Sequence, residues 1–140
     1  DVNVVFSALV NKGDSFKVFE LNKTLEKFDF IIPEYLFLEL GRRIDKLLLL
    51  SKLTKEELAE TFSFIKKQIK PISSVSFSEE IPEAIRLNFK DSPYLALAMK
   101  FKCGIFSGDK GLKKQEKIKV FSPRDLIDSL EDNKNFNSKE

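Results

Sequence analysis

The chain has 140 residues, 42% hydrophobic and 33% charged, with a formal net charge of +2, the profile of one globular domain rather than two. A single cysteine, Cys103, excludes an intramolecular disulfide and a thiolate metal cluster; the absence of histidine excludes Ser-His-Asp and Cys-His catalysis and histidine-ligated metals. Acid–base or metal chemistry must therefore rest on carboxylates and lysines.

The 24 Lys and Arg nearly balance the 22 Asp and Glu, so only local clustering can speak for a nucleic-acid partner. No apolar stretch reaches the roughly 18 residues of a membrane span, and the amino terminus lacks the order of a secretory signal. A cytoplasmic protein without membrane contact is expected.

Apolar residues crowd between Asn3 and Val10, and after Asn11-Lys12-Gly13 an amphipathic pattern resumes with Phe16, Val18, Phe19 and Leu21. Both segments read as short helices. Phe28-Asp29-Phe30-Ile31-Ile32 reads as a strand, with Pro33 closing it and opening a helix. From Glu34 to about Ser51 the apolar residues Leu36, Phe37, Leu40, Ile44, Leu47 and Leu48 recur at three- and four-residue spacing, which predicts one long helix.

Thr54-Lys55-Glu56-Glu57 outlines a capping box for a further helix ending near Lys70-Pro71. Ile72 to Phe77 then reads as a strand, and Ser78 to Pro82 as the start of a helical turn. Ser92-Pro93 opens a helix that carries Tyr94, Leu95, Leu97, Ala98 and Phe101 and is expected to stop at Gly104. Ile105 to Ser107 and Ile118 to Phe121 are two short apolar runs. Ser122-Pro123-Arg124-Asp125 starts a last helix through Leu130, which leaves residues 1–130 as the domain and 131–140 as a disordered tail.

Strands alternating with helices predict an α/β class, a three-layer α/β/α sandwich around a central parallel sheet. In such sheets ligands gather beyond the carboxyl ends of the strands. Four acids from four separate elements occupy or approach such places: Asp1, Glu39, Asp91 and Asp109. Carboxylates brought into one cleft repel each other unless a hard divalent cation offsets their charge.

Three of these acids also have a plainer reading. Asp91 suits a helix N-terminus, Asp109 suits the turn Ser107-Gly108-Asp109-Lys110-Gly111, and Glu39 could pair with Arg42 or Arg43 on the surface of its helix. Lys110, Lys113, Lys114, Lys117 and Lys119 form a basic run beside Asp109, and Arg42, Arg43 and Lys46 flank Glu39. Either group could grip phosphates; either could be a solvated face. Leu47 to Leu50 cannot all face inward on one helix, so a second copy or a partner's helix is expected to cover part of the run, unless the Thr54 helix buries it. The 14 phenylalanines are expected in the core.

These residues resemble the PIN-domain nucleases, which include the VapC-like toxin ribonucleases of VapBC toxin–antitoxin pairs. Asp1-Val2-Asn3-Val4-Val5 is similar to the family's opening D-x-N motif, and Pro33 to Leu40 to its second acidic motif. Asp91 to Ala98 is similar to the third, and Ser107-Gly108-Asp109-Lys110 to its [ST]-x-D motif. The resemblance implies Asp1, Glu39, Asp91 and Asp109 as catalytic Mg²⁺ or Mn²⁺ ligands, with Asn3 and Ser107 orienting the site. It also implies hydrolysis of RNA and an antitoxin partner, while the homodimer expectation comes from the Leu47 to Leu50 run.

Two departures stand out. The position two beyond the last motif, often a further acid in the family, is Gly111 here, so a one-metal site is credible and a second metal would be weakly held or supplied partly by substrate. The family's first strand precedes its opening Asp, so either that strand lies upstream of this sequence or residues 2–6 form it. The rival function is a PIN-like domain that binds RNA or protein without turnover. An aspartyl-nucleophile phosphotransferase is disfavoured, because no second acid stands two residues after Asp1.

Overall fold

In a computed structural model the backbone is described for residues 1–139 and the side chains for residues 1–132. The tail expected at residues 131–140 lies, from residue 133 on, outside the residues described with side chains.

The chain opens with α1 (Val2–Asn11) and α2 (Asp14–Leu25), followed by β1 (Phe30–Pro33). Residues 2–6 are thus helical and form no strand. The long helix expected over residues 34–51 is two, α3 (Glu34–Arg42) and α4 (Ile44–Leu50). Gly41 weakens the last turn of α3. Arg43 then leaves helical geometry at φ −95°, ψ 5°, its N–H shared between the carbonyls of Glu39 and Leu40. The break lets both Leu40 and Leu47 reach the core, while Leu49 is 86% exposed.

The helix α5 (Lys55–Lys66) begins where expected, with the Thr54 hydroxyl accepting from the Glu57 N–H at 3.1 Å. The strand expected at residues 72–77 lies earlier, as β2 (Ile69–Ile72). Pro71, read as a terminator, is tolerated inside it because β2 pairs along one edge only. The serines that follow favour local turns, and residues 74–80 form a 3-10 stretch anchored by buried Phe77.

The helices α6 (Ile81–Leu87) and α7 (Ser92–Phe101) precede β3 (Ile105–Phe106), β4 (Val120–Phe121) and α8 (Pro123–Lys139). Left-handed Lys102, not Gly104, ends α7. Gly104 serves another need: a Cβ there would stand 2.5 Å from the Phe121 ring, so only glycine lets β3 and β4 approach.

The class is α/β, but the strands form two parallel pairs instead of one central sheet. One pair is β1 with β2, in register from Phe30↔Ile69 to Pro33↔Ile72; the other is β3 with β4, Ile105↔Val120 and Phe106↔Phe121. A cavity of about 690 Å³ separates β1 from β3, lined by Ile31, Ile32, Leu97, Ala98, Ile105 and Phe106 among others. With residues 2–11 helical, no described segment runs between the two pairs.

Phe19 joins the pairs from α2. Its ring lies 5.1 Å from that of Phe30 and 6.1 Å from that of Phe106, and those two are 5.8 Å apart. On the far side of α2, Val18 packs against Leu126, Ile127 and Leu130 of α8. Not every phenylalanine is core, for Phe89 is 77% exposed. Among the described residues no helix is long and apolar enough to cross a membrane.

Candidate functional site

Asp1, Asp91 and Asp109 stand where α1 and α7 begin and just past the end of β3, linked in pairs but not gathered around one point. Asp1 is the N-cap of α1: its Oδ1 accepts from the Asn3 N–H at 2.6 Å. Its Oδ2 accepts from the hydroxyl of Ser107, a fully buried residue just past β3, and that hydroxyl accepts from the Asp109 N–H at 3.0 Å. A short relay therefore ties the first acid to the last.

The main-chain nitrogen of Asp1 donates to the Phe106 carbonyl at 2.6 Å, which fixes the start of α1 against the end of β3. Ser107 stands where a supporting residue was expected. Asn3 contributes through its main chain, and its side chain is exposed.

Asp91 stands at the N-cap of α7, the position its plainer reading assigns. Its carboxylate nevertheless makes no capping hydrogen bond, although the residue is only 8% exposed. Its pKa is raised, first by burial and then by the charge of Asp109, with Lys90 opposing. A buried carboxylate beside a second one, spared from capping, is available to a ligand.

Asp109 is partly a turn residue, as its plainer reading holds, since its Oδ1 accepts from the Gly111 N–H at 2.8 Å. A Cβ at Gly111 would lie 3.2 Å from that oxygen, so glycine keeps the turn open. Glu39 stands apart. It is exposed on α3, and among the described residues it forms no salt bridge with Arg42 or Arg43. Its charge reaches the site's edge, raising the pKa of Tyr35 after burial and adding to the rise of Tyr94.

Tyr94 was not singled out from the sequence, although it follows Asp91 by three residues and so shares its helix face. Its hydroxyl accepts from the Val2 N–H at 3.0 Å, linking α7 to α1. Burial pushes it up to about 12, with Asp91, Tyr35 and Glu39 adding to the rise and the Val2 hydrogen bond opposing.

The basic residues divide. Lys113 pairs with Asp125 at 3.7 Å, Lys117 pairs with Glu83, and Lys119 lies 5.2 Å above the Phe121 ring, so these three are engaged within the fold. Lys110, Lys114, Arg42, Arg43 and Lys46 are exposed and form no salt bridge among the described residues.

The donor set is all carboxylate and hydroxyl oxygen, which suits a hard divalent cation. Among the described residues no three acids already stand close enough to hold one ion together. Fit is therefore one of donor chemistry and neighbourhood: Asp91 feels the charge of Asp109, and Asp1 is tied to the Asp109 main chain through Ser107.

No curated protein and no solved structure matches the chain. A family model described as PIN domain matches residues 1–122, which takes in all four acids, Ser107, Tyr94 and every strand. The chain thus belongs to the PIN-domain family, whose members are typically metal-dependent nucleases.

Proposed function

We propose that this PIN domain is a Mg²⁺- or Mn²⁺-dependent ribonuclease that hydrolyses RNA phosphodiester bonds, as the toxin of a toxin–antitoxin pair or as an RNA-processing enzyme of the cytoplasm. The observation that carries the proposal is the buried, uncapped carboxylate of Asp91 beside Asp109. A divalent ion, when bound, supplies charge neutralisation at the phosphodiester and lowers the pKa of an attacking water.

The remaining roles fall to the chain. Asp91 and Asp109 hold the ion, and Asp1 joins them, oriented by Ser107 and the Asn3 N–H. Glu39 serves from the rim. Lys110, Lys114, Arg42, Arg43 and Lys46 hold the phosphates on either side, in a salt-dependent way, while Lys113 is tethered to Asp125. Exposed Leu38, Leu49 and Leu50 give the homodimer or antitoxin an apolar surface to cover.

The test is cleavage of a labelled single-stranded RNA by the purified protein with Mn²⁺ and with EDTA. Asp91→Asn and Asp109→Asn each lower the rate by about 100-fold or more, since even residues behind metal ligands typically cost 10–100-fold. Mutants as active as the parent chain sink the proposal.

A second reading, a PIN-like domain that binds RNA or a protein without turnover, is favoured by one observation: the absence, among the described residues, of three acids gathered around one point. RNA retention that is indifferent to Mn²⁺ and EDTA, without cleavage, selects it.

A further inference from the structure

The first turn of a helix leaves its N–H groups without partners inside the helix. In α1, Asn3 is served by the Asp1 side chain and Val4 by the Asp1 carbonyl at 3.1 Å. Val2 is served from another element, by the Tyr94 hydroxyl. That bond joins the helix capped by Asp1 to the helix opened by Asp91, one turn before Tyr94.

We infer that Tyr94 is a positioning residue for the metal site, its hydroxyl fixing the separation of the Asp1 and Asp91 carboxylates by holding the Val2 N–H. The inference rests on the proposed metal-dependent activity. Ser107 ties Asp1 to the Asp109 side, and Tyr94 ties the same helix end to the Asp91 side. Without the second tie, α1 can shift relative to α7 while both helices remain folded.

The bond can be removed from either end. Tyr94→Phe deletes the acceptor and keeps the ring; Val2→Pro deletes the donor at the first helical position, where proline is well accommodated. Mn²⁺ affinity is measured by calorimetry without RNA, so the readout is independent of turnover.

Each variant weakens Mn²⁺ binding about tenfold, in the range found for residues behind metal ligands, and the double variant loses about tenfold instead of about a hundredfold, because both remove one interaction. Ser122→Ala, which weakens the cap of α8 away from the acids, serves as the control and leaves Mn²⁺ affinity unchanged. Unchanged affinity in Tyr94→Phe and Val2→Pro, additive losses in the double variant, or an equal loss in Ser122→Ala overturns the positioning role. If the parent chain itself binds no Mn²⁺, the proposed activity fails first and the positioning role falls with it.

Discussion

Asp91 concentrates the conflict between folding and function in one side chain. Its raised pKa means that the ionised form costs the fold, so its contribution to stability is present at low pH and is lost as pH rises through the folded value. Asp91→Asn removes that charge and, in EDTA at neutral pH, is expected to raise the melting temperature. The same variant loses the Mn²⁺-induced rise of the parent chain, which follows from mass action on the folded state. Thermal melts with and without Mn²⁺ check both halves. A lower melting temperature in EDTA would mean that the carboxylate stabilises α7 after all. The motif spacing singled out Asp91 and Asp109 as candidates but was silent on Tyr94, because a tyrosine on a mostly apolar helix reads as packing until its hydroxyl is seen to meet another element.

The best-specified element boundary is the start of α8. Ser122 Oγ accepts from the Asp125 N–H at 3.1 Å, and Asp125 Oδ2 accepts from the Ser122 N–H at 2.9 Å, a reciprocal cap. The Ser122 N–H, then the Ser122 hydroxyl and the charge of Lys113, hold the Asp125 carboxyl below the usual carboxylate range. The stabilisation is therefore present above the ordinary carboxylate pKa of about 4 and is lost as pH falls through the lowered value. Ser122→Ala is expected to cost about 1 kcal/mol at neutral pH. Asp125→Asn flattens the acid limb of the stability curve, and denaturant melts across that range read both. Helix ends of this kind were legible because caps are local chemistry, as Thr54 also shows. The break at Arg43 was not, for the apolar period runs through it unchanged and only packing demands the bend.

At the scale of the whole molecule, the α/β class followed from helices alternating with short apolar runs, and those at residues 105–107 and 118–121 do contain β3 and β4. The single sheet did not follow, because sheet continuity depends on which edges meet. Here a cavity lies between β1 and β3, and Phe19, Phe30 and Phe106 supply the cohesion that hydrogen bonds do not. Pro71 hid β2 for a related reason, since its missing N–H matters only where a neighbour needs it. The two tyrosines give the molecule one more property. With no tryptophan, its ultraviolet emission comes from Tyr35 and Tyr94 alone, and both feel the charge of Glu39. Paramagnetic Mn²⁺ held by Asp91 and Asp109 is expected to quench the Tyr94 share of that light, diamagnetic Mg²⁺ to spare it, and Asp91→Asn to abolish the difference. Such a difference would make the tyrosine emission a label-free optical gauge of cation loading.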